Sequence, residues 1–187
     1  NEQPPDDPWS YYADQSYRED FHRDYMTREI CAFYYFSKGK HDFRRGRREQ
    51  GLAGLRLASR IGYDDQLIHS EMGVFLTNAG LFEAAKRELE IATLHHESLR
   101  VVYNNWGYYY QKVGEHAKAA DAFRKALRMG PASATDYNNL GFVLYEMGRD
   151  EDALRTFRQS LAVDPDESEI RRFVEERLTG RRGREIP

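Results

Sequence analysis

The chain has 187 residues, a formal net charge of -3 and a mean hydropathy of -0.83. A chain of this length buries enough apolar surface to fold without disulfides, and its single cysteine, Cys31, excludes an internal bridge and a cysteine-ligated zinc site. Its longest apolar run, residues 30–36, is far shorter than the ~20 residues that cross a bilayer. With 28 basic and 31 acidic residues, the chain lacks the charge excess typical of nucleic-acid binding.

Residues 1–18 are predicted to form a flexible, acidic and aromatic arm. Residues 1–15 hold three prolines and four acidic residues, a composition that buries too little apolar surface to order itself alone. Trp9, Tyr11, Tyr12 and Tyr17 are unusual in a solvated linker. Two interpretations stay open, because these aromatic side chains can dock on the following repeat or recognise another molecule.

The next segment, from about Glu19 to Arg45, contains no proline and one glycine, which predicts an unusually long first helix. Near the end of this segment, six basic residues lie within eleven positions: Lys38, Lys40, Arg44, Arg45, Arg47 and Arg48. One interpretation is a solvated turn between two helices. The other is a docking patch, centred on Arg45, Arg47 and Arg48, for an acidic partner or for the chain's own arm.

Glycine recurs every 34 residues, which indicates internal repeats. One series stands at positions 39, 73, 107 and 141, and a second stands at 46, 80, 114 and 148. A small residue occupies 51, 85, 119 and 153, and a large apolar residue occupies 55, 89, 123 and 157. Such a period is typical of solenoid proteins. It divides the chain into repeats 32–65, 66–99, 100–133 and 134–167.

The third and fourth repeats carry the fullest set of marker residues. In the third these are Tyr103, Trp106, Gly107, Tyr110, Ala119, Phe123, Ala126 and Pro131, and in the fourth Tyr137, Leu140, Gly141, Leu144, Ala153, Phe157, Ser160 and Pro165. In these residues the chain resembles the tetratricopeptide repeat family. The second repeat lacks the proline and most aromatics. The first departs furthest, with Lys38 before Gly39, Asp42 at the second aromatic place and Gly51 instead of alanine.

The resemblance implies an all-α fold, an α-solenoid in which antiparallel helix pairs over residues 19–167 stack as a right-handed superhelix. Neighbouring pairs would cover each other's apolar faces, and the second glycine series would end helices in the left-handed conformation. After the last repeat, Asp166 and Glu169 have the spacing of a capping box. An apolar stripe from Ile170 to Leu178 predicts a capping helix over 168–179, followed by a basic tail, 180–187.

In this family the first helix of each repeat lines a concave groove that receives an extended or helical peptide. By matching place, the resemblance implies these groove residues: Phe33, Phe36, Ser37, Lys40, Arg44, Leu67, Ser70, Glu71, Val74, Asn78, Val101, Asn104, Asn105, Tyr108, Lys112, Thr135, Asn138, Asn139, Phe142 and Tyr145. Asn105 and Asn139 lie one repeat apart, and a carboxamide both donates to and accepts from a peptide backbone. The carboxylate clamp of chaperone-binding members is absent, since Phe36, Glu71 and Val101 stand at three of its places.

No sequence motif for catalysis is present, and no catalytic residue, cofactor or metal site is predicted. His95 and His96 are adjacent, so they point to different sides of a helix, and no third ligand has matching spacing. The expected function is a non-catalytic adaptor that binds a protein or peptide in its groove. The alternative is self-association, in which Phe33, Phe36 and the aromatic arm pack against a second copy. Nucleic acid is a weaker candidate partner.

Arginine outnumbers lysine 22 to 6, which favours a GC-rich bacterial source. The chain starts with Asn, which fits either a protein processed after export or a shortened chain, and no signal peptide is visible. Both the cytoplasm and the bacterial periplasm therefore stay open as locations.

Overall fold

The computed structural model describes residues 25–95 and 100–179, which form helices and turns without any strand. The helices are α1 Tyr25–Arg44, α2 Arg48–Ile61, α3 Gln66–Asn78, α4 Phe82–His95, α5 Arg100–Lys112, α6 His116–Leu127, α7 Ala134–Glu146, α8 Asp150–Val163 and α9 Ser168–Phe173, which continues as a π-helix, Val174–Thr179. In these two ranges, no helix combines the length and the apolar character needed to span a bilayer. The predicted arm, 1–18, and tail, 180–187, lie outside the described residues.

The chain separates into two compact halves, Asn1–His96 and Glu97–Pro187. The N-terminal half pairs α1 with α2 and α3 with α4, and the C-terminal half pairs α5 with α6 and α7 with α8. First helices α3, α5 and α7 begin at 66, 100 and 134, and second helices begin at 48, 82, 116 and 150. The 34-residue step of the sequence is therefore the step of the helix pairs, which confirms the predicted all-α fold. The first helix has 20 described residues and is longer than the other helices of the pairs, as expected, while the part predicted before Tyr25 lies outside the described residues.

The turn inside each helix pair is closed by the second glycine series. Gly46, Gly80, Gly114 and Gly148 have φ of 81°, 73°, 81° and 71°. The amide of the residue after each glycine donates to a carbonyl five residues back, at 2.8–3.0 Å. This left-handed glycine and its backward hydrogen bond satisfy carbonyls that the helix end leaves open, as the sequence predicted.

The first glycine series lets the two helices of a pair approach each other. A Cβ built on Gly107 would lie 2.5 Å from the Phe123 ring, and one on Gly141 would lie 2.6 Å from the Phe157 ring. The first repeat solves the same contact differently, because a Cβ on Gly39 would meet the backbone of Gly51 at 2.9 Å. Its departure from alanine at position 51 therefore reflects a backbone-to-backbone approach of α1 and α2.

The C-terminal helix closes the core of its half. Ile170 and Val174 are buried in a cluster with Phe123, Leu144 and Phe157, which confirms the predicted apolar stripe as far as Val174. The predicted capping box is wrong: α9 begins at Ser168, and no side chain caps its N-terminus.

The reason for the missing cap lies in the preceding turn. The Asp164 carboxylate accepts from the Asp166 amide at 3.0 Å and holds the chain in that turn. Asp166 is thereby kept outside the helix, and Glu167 takes the N-cap position in its place.

We expect Gly141→Ala to destabilise the C-terminal half by about 1–3 kcal/mol, because the new methyl group collides with the fully buried Phe157 ring. Gly148→Ala is the matched control. It meets no atom within 4 Å and costs about 1–2 kcal/mol through its left-handed backbone alone.

Urea unfolding of both variants, each with and without Phe157→Leu, measures the two effects. The smaller leucine should recover part of the loss at Gly141 and none at Gly148. If Phe157→Leu changes the free energy of unfolding by the same amount in both glycine variants, the clash with the Phe157 ring does not explain the loss at Gly141.

Candidate functional site

An apolar pocket of about 420 Å³ opens between α1 and α3 in the N-terminal half. We call it the α1–α3 pocket; it is lined by Glu29, Ile30, Phe33, Phe36, Asp65, Leu67, Ile68 and Glu71. Ile30, Phe33 and Leu67 are 52%, 59% and 56% exposed. Phe36, by contrast, is 1% exposed and forms part of the pocket base. Four residues of the predicted groove, Phe33, Phe36, Leu67 and Glu71, thus come together here.

Helix geometry and one N-cap position these side chains. Ile30 and Phe33 are three residues apart on α1, so they share one face of the helix. Asp65 caps α3, and its Oδ1 accepts from the amides of Leu67 at 3.0 Å and Ile68 at 3.1 Å. This cap fixes the first turn of α3, from which Leu67 points to solvent and Ile68 to the core.

Next to the pocket, Arg28 ties α1 to the segment that leads into α3. Its Nη2 donates to Asp64 Oδ2 at 2.6 Å, and its guanidinium lies 4.9 Å from the centre of the Tyr63 ring. Arg28 is buried, so its charge is balanced inside the fold. This pair holds the two walls of the pocket at a fixed separation.

Cations of the basic cluster lie over aromatic rings of the same half. Lys40 Nζ is 3.9 Å from the centre of the Phe36 ring, the Arg44 guanidinium is 5.9 Å from that of Phe75, and the Arg48 guanidinium is 5.1 Å from that of Phe43. Such contacts hold a cation by the negative face of the ring.

The remaining members of the predicted docking patch lie at the turn between α1 and α2. Arg47 pairs with Asp42, and its Nε donates to Asp42 Oδ1 at 3.0 Å. Arg45 and Arg48 are exposed. Arg47 is thus paired with a carboxylate of its own half. The docking patch for an acidic partner stays a prediction.

In the C-terminal half, two predicted groove asparagines hydrogen-bond inside the fold. Asn104 Nδ2 donates to Asp136 Oδ1, and Asn138 Nδ2 donates to Glu167 Oε2, each at 2.6 Å. The asparagines are 34 residues apart, so this is one device used twice. Each links the first helix of a repeat to the start of the next repeat or helix. Their Oδ1 atoms are buried and accept no hydrogen bond within the described part of the chain.

Asp136 is the centre of a polar network at the start of α7. It forms a capping box with Ser133, whose amide and hydroxyl donate to Asp136 Oδ2 at 2.7 and 2.8 Å. Arg100 Nη1 lies 3.2 Å from the same oxygen. Burial alone would raise the pKa of Asp136, but the hydrogen bonds from Ser133 and Asn104 and the Arg100 charge outweigh it and lower that pKa.

A second pocket, of about 740 Å³, lies between α7 and the C-terminal helix. Its lining includes Asn138 and Phe142 from the predicted groove together with Glu167, Ile170 and Phe173. The Phe142 ring also packs edge-on against Phe157 and Phe173, with centroids 5.1 and 5.3 Å apart, so it serves the core of this half as well.

The other predicted groove residues do not line either pocket. Asn105, Tyr108 and Asn139 are half-buried on α5 and α7, and Lys112 Nζ lies 5.3 Å from the centre of the Tyr108 ring. Asn78 is exposed at the end of α3. These positions stay predictions as ligand contacts.

Groups that suggested chemistry in the sequence are buried or outside the described residues. His69 is 1% exposed, takes the place of the repeat tyrosine, and its Nδ1 lies 2.6 Å from Glu88 Oε2. Burial raises the pKa of the Cys31 thiol, which is 0% exposed. His96 lies outside the described residues, within which no cluster of metal-ligating side chains occurs.

Sequence reasoning missed several residues of these sites. Ile30 had a signal in its three-residue spacing from Phe33, and Asp65 had one as an acid directly before α3. Ser133 and Asp136 have the capping-box spacing that was sought further along the chain. No sequence pattern indicated Glu167, because its role depends on the hydrogen bond that Asn138 donates to it.

Comparisons with known proteins agree with this architecture. The tetratricopeptide repeat sequence model matches residues 99–166. Pseudomonas aeruginosa pilF is 22% identical with a TM-score of 0.69, covering 83% of this chain and 71% of that chain. Residues 41 to the end of MamA from Desulfovibrio magneticus RS-1 are 20% identical with a TM-score of 0.67, covering 81% and 85%.

A plant domain gives a further comparison. The Arabidopsis OM64 TPR domain is 17% identical with a TM-score of 0.57, covering 62% of this chain and 95% of that chain. No protein with a curated description matches the chain. At these identities the likeness shows the fold, an α-solenoid of helix pairs.

We expect Asp136→Asn to lower the free energy of unfolding at neutral pH by about 1–2 kcal/mol, because it weakens the cap and leaves Arg100 without its carboxylate. The folded pKa of Asp136 is lowered, so this contribution is present above the ordinary aspartate pKa. It disappears as the pH falls through the lowered value.

Chemical unfolding across the acid range measures the gap between wild type and variant, which should close on acidification. Asp121→Asn is the control, since Asp121 is exposed and pairs only three residues along its own helix with Arg124. A gap at Asp136 that is independent of pH would refute the electrostatic part of this account.

Proposed function

We propose that this chain, which carries tetratricopeptide repeats, is an interaction module that holds a segment of a partner protein in the α1–α3 pocket. The first helices of the N-terminal half form the binding face, and the partner contributes the side chains that fill the pocket. The proposal includes no catalytic step, since the buried Cys31 and His69 are out of reach of a substrate.

The observation that carries the proposal is the exposed apolar surface of this pocket. Ile30, Phe33 and Leu67 are each more than half exposed, although they lie close together around one concavity. Scattered exposed apolar residues are ordinary, whereas a concave apolar cluster marks a binding surface. Burying a leucine or phenylalanine side chain gains roughly 1.5–3 kcal/mol in full, so three half-exposed ones supply a few kcal/mol to a complex.

The buried base of the pocket adds rigidity. The Lys40 ammonium group lies over the Phe36 ring, and the Arg28–Asp64 pair fixes α1 relative to the start of α3. A preformed pocket loses less conformational entropy when a ligand binds. This favours a ligand that inserts one bulky side chain.

Self-association is a weaker proposal for the same surface. Phe33 is exposed and can contact a second copy, but Phe36 is 1% exposed and has no surface to offer one. The aromatic arm, which that hypothesis also needs, lies outside the described residues. Asn105 and Asn139 remain proposed backbone contacts on the C-terminal half.

We expect the α1–α3 pocket to enrich ligands from a displayed library of random short peptides, and Leu67→Ser to abolish that enrichment, because the serine removes an exposed wall of the pocket. Leu94→Ser is the matched control: Leu94 is 79% exposed, lies on α4 of the same half and does not line the pocket. Selection on wild type and both variants, followed by sequencing, gives the answer. Equal enrichment on Leu67→Ser would contradict the proposal.

The proposed amide contacts on the C-terminal half have their own test, with peptides whose binding to wild type is retained in Leu67→Ser. Asn105→Ala with Asn139→Ala should weaken binding by about 1 kcal/mol for each backbone hydrogen bond lost. Gln159→Ala on the second helix α8 serves as the control, and circular dichroism checks folding. If the double variant binds as wild type does, the amides have no part in the binding.

A further inference from the structure

The α1–α3 pocket combines an apolar base with an acidic rim. Glu29, Asp65 and Glu71 supply the rim carboxylates, whereas none of the described residues that line the pocket is basic. Glu71 is exposed, and within the described part of the chain neither Glu29 nor Glu71 is recorded in an ion pair. The neighbouring Arg28 is occupied by Asp64. Glu29 and Glu71 therefore place negative charge next to apolar surface, whereas the Asp65 carboxylate is engaged as the cap of α3.

We propose that the occupant of this pocket is a protein segment in which a bulky apolar side chain stands next to arginine or lysine. This inference rests on the proposed function and specifies its ligand. The apolar side chain fills the space beside Phe33 and Leu67, and the adjacent cation meets the rim carboxylates. Arginine is the better match, because its planar guanidinium binds a carboxylate through two parallel hydrogen bonds.

Charge separates this occupant from the chain's own N-terminal arm. The arm, residues 1–18, contains four acidic residues and one basic one, so its net charge does not complement that of the rim even though it is rich in aromatic side chains. The proposed partner of the pocket is basic, whereas the basic cluster would attract an acidic partner. Arg45 lies fifteen residues after Ile30 on or beside α1, which is about 22 Å along the axis. The two ends of α1 thus attract opposite charges.

One segment of the chain itself has the required composition. The tail holds Arg181, Arg182 and Arg184 followed by Ile186. A tail from a second copy is therefore the competing occupant, and the experiment must distinguish it from a separate partner.

The test uses the full chain and three synthetic peptides, which share a central leucine and phenylalanine and carry flanks of arginine, glutamine or glutamate. Fluorescence anisotropy should rank the arginine peptide first and the glutamate peptide last. The double variant Glu29→Gln with Glu71→Gln should lower the affinity for the arginine peptide by about threefold to tenfold. It should leave the affinity for the glutamine peptide unchanged. Added salt should reduce the advantage of arginine.

The matched control is Glu49→Gln with Glu83→Gln, which removes two exposed charges from the same half but not from the pocket. It should leave the ranking of the peptides intact. If this control weakens the arginine peptide as much as the rim variant does, net charge explains the preference and the inference is wrong.

The failure of this inference is distinct from the failure of the proposed function. Equal affinity for all three peptides, still lost in Leu67→Ser, overturns the charge preference and keeps the pocket as a binding site. Binding that does not depend on Leu67 overturns both. Sedimentation supplies the last outcome: a dimer that disappears both in the rim variant and on deletion of residues 180–187 assigns the pocket to a second copy and overturns a separate partner.

Discussion

The close approach of two helices at a glycine is the contact on which the rest of this structure depends. At Gly107 and Gly141 a buried phenylalanine ring occupies the place of the missing Cβ, so the paired helices meet at a distance that an alanine would not allow. Once a pair is fixed at that distance, its left-handed turn and the stacking of the next pair follow. In the N-terminal half, Ile30 and Phe33 on α1 and Leu67 on α3 stay exposed outside this packing.

The periodic part of the fold was predictable from the sequence because each packing contact recurs every 34 residues. The helix pairs, the glycine turns and the apolar stripe of the C-terminal helix were all expected, and the structure has them. The wrongly predicted capping box at Asp166 shows the limit of such patterns. Spacing identifies side chains able to cap a helix, but a local turn held by Asp164 leaves Asp166 outside the helix.

The candidate site was only partly predictable. Matching places to the family brought in Phe33 and Leu67, but could not tell that Phe36 is buried or that Asn104 and Asn138 hydrogen-bond carboxylates of their own half. Those outcomes depend on the neighbouring repeat, which no single column of the sequence describes. Within the described residues, the buried Oδ1 atoms of Asn104 and Asn138 accept no hydrogen bond, so each link leaves one polar atom unsatisfied.

The extra length of α1 has a consequence for how such a protein can gain or lose repeats. Glu29 and Ile30 belong to the part of α1 that precedes the first 34-residue repeat, so two of the four residues that α1 contributes to the pocket come from outside the periodic pattern. Duplication of an internal repeat would lengthen the array and leave the pocket as it is. A further repeat added before α1 would cover that surface. The proposed binding surface would therefore restrict growth of the array to its interior or its C-terminal end.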